Sequence, residues 1–155
     1  MSFQSLEHRI PPPVVAVAVG VAMWAVASFW PTPALPVACR WPLALVVALS
    51  GLISTLAGVI SFRSARTTVN PLRPASASTL VTSGVYRITR NPMYVGLLMV
   101  LLAWAVFLSV PWALVGPLAF VFYMARFQIE PEERALAEVF GEQYLAYKQR
   151  VRRWL

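Results

Sequence analysis

Gly84-Val85-Tyr86-Arg87-Ile88-Thr89-Arg90-Asn91-Pro92-Met93-Tyr94-Val95-Gly96 joins a basic loop to a long apolar run. It sets two arginines, two tyrosines and an Asn-Pro pair at the point where that run begins. A second polar stretch, Glu130-Pro131-Glu132-Glu133-Arg134, stands where a later apolar run ends. Ionisable groups are costly in hydrocarbon and persist at the ends of spans mainly for function. The two clusters therefore point to a site at a membrane surface.

The composition agrees. Of 155 residues, 59% are hydrophobic and 12% charged, with mean hydropathy +0.66. A soluble domain carries about twice that charged fraction. An all-α integral membrane protein of about four transmembrane helices is expected, folded as a single domain over 1–155. The net charge of +7 could suit nucleic acid. Its basic residues, however, are divided among segments that flank apolar runs, which fits membrane topology and excludes a nucleic-acid partner.

Four candidate spans follow: 13–30, 41–62, 92–110 and 112–127. The second is long enough to cross a core of about 30 Å. Ser50, Ser54 and Gly58 mark it with small residues at which another helix can approach closely. Asn91 is placed as the N-cap of the third span and Pro92 as its first residue, where a missing N–H costs nothing. Pro111 leaves so short a link that spans three and four are expected to form a tight hairpin. Gly116-Pro117 is expected to kink the fourth. The fourth is short for a crossing.

Segments 63–91 and 128–155 are expected to be cytosolic. Twelve of the thirteen basic residues fall on the side of these segments and of Arg9, and Arg40 alone falls on the other. That asymmetry places both termini and the site in the cytoplasm, in a bacterial inner membrane. Thr67 to Pro74 is expected to be extended, since residues before proline avoid helix. After Pro131 a cytosolic C-terminal helix is expected, with acidic residues in its first turn. Leu136, Phe140, Tyr144 and Tyr147 stripe it, and Gly141 is placed to break it.

Cys39 has no cysteine partner, so a disulfide or a cysteine metal site is excluded. Ala34 to Cys39 resembles a lipoprotein cleavage box only faintly, and the first span is expected to be retained. There is no HExxH, no GxSxG and no P-loop, no Asp anywhere, and one histidine, His8. The chemistry that fits is recognition of a ligand with a carboxylate, an ammonium group and a flat base. Arginine and backbone donors, glutamate, and aromatic walls supply the three. Asn91 offers a donor and an acceptor, and Gly84 and Gly96 would let backbone approach a ligand.

These motifs, with Phe140-Gly141-Glu142-Gln143-Tyr144-Leu145-Ala146-Tyr147-Lys148-Gln149-Arg150-Val151-Arg152-Arg153-Trp154, resemble the integral-membrane methyltransferases. That superfamily includes isoprenylcysteine carboxyl methyltransferase and phospholipid N-methyltransferases. The resemblance covers Thr67 to the C-terminus. It implies S-adenosylmethionine as cofactor and a lipophilic or lipid-modified acceptor. Gly84, Tyr86, Arg90, Asn91, Tyr94, Gly96, Glu132 and Glu133 are the implied cofactor contacts. Glu133 and Arg134 are the implied catalytic pair, Glu133 as base toward an amine. Tyr144, Tyr147 and Arg150 are assigned to substrate, and the terminal arginines to an anionic substrate group. Many members have Arg-His-Pro where this chain has Arg90-Asn91-Pro92, and asparagine cannot act as a base. Two alternatives stand beside this reading: an NADPH-dependent reductase of the related sterol-reductase fold, and a non-catalytic scaffold in which the arginines only set topology. The glutamate pair, which would repel a pyrophosphate, argues against the reductase.

Overall fold

A computed structural model describes residues 10–30, 36–65 and 79–155 of the chain. The expected extended segment Thr67 to Pro74 lies outside them, as do His8 and Arg9. Among the described residues the architecture is helical: α1 (Pro12–Phe29), α2 (Val37–Ser64), α3 (Pro92–Leu108), α4 (Val115–Met124), α5 (Glu130–Phe140) and α6 (Glu142–Arg150). Three helical stretches are long and apolar enough to cross a membrane, Pro12–Phe29, Val37–Ser64 and Pro111–Phe140, and α3 is a shorter apolar helix. Where four spans are expected, there are three candidate spans and a shorter, 17-residue apolar helix. Large apolar side chains point outward along them, among them Val17, Leu45, Ile53 and Phe122. Water would not tolerate so wide an apolar surface on a monomer, and lipid does.

The second helix is longer than the apolar run alone predicts. It starts at Val37, behind Pro36 as N-cap, and accommodates Pro42 near its start. Its 28 residues would span about 42 Å at 1.5 Å per residue, beyond the hydrocarbon thickness. It packs antiparallel along α3. A Cβ on Gly51 would lie 2.7 Å from Gly96 O, and one on Gly58 would lie 2.9 Å from Met93 Cγ. Ser54 Oγ donates to Pro92 O at 2.9 Å. The expected small-residue stripe is therefore present, with Gly51 in place of Ser50. Ser50 turns away and bonds its own helix at Val46 O. Helical geometry explains the shift, because Gly51, Thr55 and Gly58 share one face at spacings of four and three.

Ser109, at φ 55°, closes α3. A 3-10 turn, Pro111–Leu114, then leads into α4, completing the expected hairpin. Pro117 falls in the first turn of α4. The expected kink there takes the form of this 3-10 to α transition, since a first-turn proline removes no needed hydrogen bond. The fourth span does not stop at 127. It widens into a π-helical turn, Ala125–Ile129, and continues as α5 without a gap. The Glu130 N–H bonds Ala125 O, five residues back. Pro131 supplies the reason: it cannot donate to the carbonyl four residues earlier and its ring crowds that carbonyl, so the preceding turn is wider. From Glu130 onward the helix is charged and lies beyond the apolar length.

The core sits where α1, α3 and α4 meet, around Phe120, Met124 and Ile129, all fully buried. Gly141, at φ 52°, separates α5 from α6 as expected; a Cβ there would meet nothing within 4 Å, so the backbone angle alone favours glycine.

Candidate functional site

The site forms because the last residues of the chain fold back onto the loop before α3. Thr89 and Arg152 make a parallel bridge, and the Arg90 N–H donates to Arg152 O at 2.9 Å. Thr89, almost fully buried, donates its hydroxyl to Arg153 O and accepts the Asn91 N–H, each at 3.2 Å. Asn91 occupies the N-cap position of α3, but its side chain makes no cap bond. Its amide donates instead to Arg153 O at 2.8 Å.

Arg90 joins three segments. Its Nη1 donates to Lys148 O at 2.9 Å and to Val151 O. These carbonyls lie at the C-terminal end of α6, where the helix leaves acceptors unsatisfied and its dipole favours a cation. Its Nη2 meets Glu133 Oε1 at 2.7 Å. Glu133 Oε2 also receives Lys148 Nζ at 3.1 Å and Arg153 Nη2 at 2.9 Å. Burial alone would raise the Glu133 carboxyl, but hydrogen bonds from Arg153, Arg90 and Lys148 outweigh it and hold it at about 2. The same hydrogen bond raises Arg153. Three cations thus share one carboxylate, and the buried Arg90 Nε has no acceptor among the described residues.

Glu132, one residue away, has a different environment. Tyr94 Oη and Gln128 Nε2 both donate to its Oε1, the latter at 3.0 Å. Burial pushes its carboxyl up to about 7, against those two hydrogen bonds and with some repulsion from Glu133. Adjacent carboxyls are therefore held in opposite senses, one ionised and one near neutrality, the arrangement that separates acid–base from electrostatic roles.

The remaining expected residues divide. Tyr86 is buried edge-on against Phe62, ring centroids 5.3 Å apart, and burial raises its hydroxyl. Its carbonyl accepts the Tyr147 hydroxyl at 2.7 Å, which ties α6 to the 3-10 turn Gly84–Arg87. Burial pushes Tyr147 up to about 12 and raises Tyr144 as well. Gly84 takes φ +60° beside Ser61, where a Cβ would lie 3.0 Å from Oγ. Gly96 faces α2: a Cβ there would lie 2.0 Å from Thr55 Oγ1 and 2.5 Å from Gly51 O. The structure thus gives Gly96 to helix packing. Arg134 and Arg150 are exposed, Arg150 bonding Ala146 O within its helix. The terminal arginine Arg153, expected to hold an anionic substrate group, pairs with the chain's own Glu133.

Sequence reading passed over Gln128, Thr89 and Lys148. Gln128 left a signal, a buried amide in an apolar run one turn before Glu132. Thr89 and Lys148 left none, because their partners are distant in sequence.

Residues 39–143 match the family profile described as phospholipid methyltransferase. The chain belongs to this family. It is 46% identical over 63 residues to an uncharacterized protein of Haemophilus influenzae, covering 41% of this chain and 100% of that one. It is 42% identical over 77 residues to protein-S-isoprenylcysteine O-methyltransferase of Xenopus laevis, covering 50% of this chain and 27% of that enzyme. With the human enzyme of the same name it shares 44% over 73 residues, covering 47% and 26%. The chain thus spans about a quarter of the length of these two enzymes. No solved structure matches it. Membership in a membrane methyltransferase family agrees with the apolar helices and with the polar cluster at their end.

Proposed function

We propose that the chain is an integral-membrane methyltransferase that binds S-adenosylmethionine at the Arg90–Glu132–Glu133 cluster and methylates a lipophilic acceptor. The observation that carries this reading is the assembly of three cations, two carboxyls and Tyr94 where α3 begins and α5 starts. The fit rests on the donor set. Arg90, Lys148 and Arg153 exceed the charge of Glu133, so the cluster favours a further anionic group such as the cofactor carboxylate. Glu132, which keeps part of its surface open, is the carboxyl of the pair that a ligand can reach. S-adenosylmethionine, when bound, supplies an electrophilic methyl on a sulfonium, so the protein needs no nucleophile of its own.

What the chain contributes is alignment. Holding two reactants in line is worth up to about 7–11 kcal/mol of barrier. The rigid ties from Thr89, Arg90 and Asn91 to residues 148–153 supply that rigidity. Glu133, held ionised by three cations, is a weak proton acceptor. We therefore transfer the role of base toward an amine acceptor from Glu133 to Glu132, whose carboxyl sits at about 7. A carboxylate acceptor would need no base, only orientation by the surplus cations. The excess of basic residues on the side of the cluster supports a cytoplasmic site, with the cofactor arriving from water and the acceptor laterally from lipid.

Thermal shift of the detergent-solubilised protein tests the reading. S-adenosylmethionine and S-adenosylhomocysteine are expected to stabilise it, at 100 times Kd by about 2.7 kcal/mol, and NADPH is expected to have no effect. A response to NADPH alone, or to none of the three, would overturn the proposal. Incubating membranes with a labelled methyl donor then identifies the acceptor as lipid, protein or small molecule.

A further inference from the structure

An apolar hollow of about 960 Å³ opens between α1 and α2, with α3 as its floor. Small residues create it: Ala16 and Gly20 on α1, Ala44 and Ala48 on α2, Ala103 on α3. Its far end, toward the C-terminus of α3, is an aromatic stack. Trp104 stacks on Phe107 at 5.2 Å, and Trp41 meets Phe107 edge-on at 4.9 Å. The Arg40 guanidinium lies over that same Phe107 ring, 5.4 Å from its centre.

Arg40 stands alone in charge. Its buried Nε has no acceptor among the described residues. The six acidic residues of the chain are Glu7 and the five glutamates between 130 and 142. The five described ones come after the apolar part of the fourth span, so they belong to the opposite membrane face. From Pro92 to Phe107 along α3 is about 22 Å at 1.5 Å per residue. No carboxylate among the described residues pairs with Arg40. The basic residue that departs from the topological bias of the sequence therefore sits, with no carboxylate among the described residues, on the Phe107 ring that closes one end of a hollow suited to hydrocarbon.

We propose that this hollow is a binding site for an anionic phospholipid, one acyl chain lying between α1 and α2 and the phosphate on Arg40. A second copy is the other conceivable cover. Two copies inserted the same way would bring Arg40 against Arg40, so charge disfavours it. The site is separate from the methyl-transfer cluster and does not rest on the proposed reaction.

The test uses the full chain in phosphatidylcholine nanodiscs doped with lipids brominated on the acyl chain, read by quenching of tryptophan fluorescence. Trp24, Trp41 and Trp104 line the hollow. Brominated phosphatidylglycerol is expected to quench at a roughly fivefold lower mole fraction than brominated phosphatidylcholine, the equivalent of about 1 kcal/mol for one basic residue. Arg40→Gln is expected to abolish that preference while the response to S-adenosylmethionine is kept, and Arg40→Lys to retain it. Ala48→Phe, which fills the hollow, is expected to remove the preference, while Trp24 and Trp41, exposed to bulk lipid, are still quenched equally by both lipids. Equal quenching by both lipids in the unmodified protein, or a preference that survives Arg40→Gln or Ala48→Phe, overturns the proposal. So does quenching that appears only as the protein is diluted, the sign of a covering second copy.

Discussion

Two regions of this protein are held together by opposite means. The α2–α3 seam is a matter of shape, in which glycines let backbones approach until no side chain would fit between them. The cluster at the end of α3 is a matter of charge, in which Arg90, Lys148 and Arg153 converge on Glu133. Packing between helices needs only the right small residue at each turn, and it tolerates lipid on every other side. The cluster needs three segments separated by tens of residues, and one lost partner leaves the others buried and unpaired. The seam should therefore fail gradually and the cluster abruptly.

Glu133→Ala is the largest expected effect. Removing one partner of a buried pair typically costs about 3–5 kcal/mol, and here it leaves Arg90 without its carboxylate. Thermal unfolding in detergent measures the loss, and Glu133→Gln should restore shape without restoring stability. A loss under about 1 kcal/mol would mean that the cluster is solvated, as an exposed pair is.

The pH profile should separate the two glutamates next. Glu132 has a folded value of about 7 against an ordinary 4.5, so the folded state holds its proton more tightly. Its contribution is full below 4.5 and is lost as pH rises to about 7, with a limiting slope of about 1.4 kcal/mol per pH unit. Glu133 is depressed to about 2, so its contribution is present above 4.5 and is lost as pH falls from 4.5 toward 2. Unfolding followed between pH 4.5 and 7 thus reports Glu132, and Glu132→Gln should flatten that window. A slope unchanged in the variant would remove Glu132 as its source.

On the seam, Gly96→Ala puts a methyl 2.0 Å from Thr55 Oγ1 and 2.5 Å from Gly51 O. Overpacking of this kind costs about 1–3 kcal/mol. Thr55→Ala in the same chain should recover only part, because the Gly51 carbonyl cannot move aside. Full recovery would show that the hydroxyl alone sets the distance. The smallest effect belongs to Tyr147→Phe, which deletes the bond to Tyr86 O and should cost about 1 kcal/mol. If it instead matches Glu133→Ala, α6 is anchored by this tyrosine rather than by charge.

Much of this contrast could be read from the chain and some could not. The runs of apolar residues, the hairpin at Pro111 and the break at Gly141 are local, and each was legible. So was the convergence of Arg90 and Tyr94 on the glutamate pair, because two polar stretches at the ends of apolar runs have the same membrane surface to share; Asn91 instead bonds Arg153 O. The continuity of the fourth span into α5 was not legible, since Pro131 reads as a stop unless a wider turn precedes it. Nor was the second register of the small-residue stripe, where Ser50 and Gly51 are equally small and only the direction of α3 chooses between them.

Apolar length and helical spacing, both properties of neighbouring residues, determined by themselves that this is a helical membrane protein with its polar groups gathered at one face. The tertiary structure alone decided that Arg153 closes on Glu133, that Gly96 serves a helix contact and that Arg40 lies over the Phe107 ring. Each of these depends on which distant segment arrives, and a charge or a glycine carries the same local signal whatever it meets.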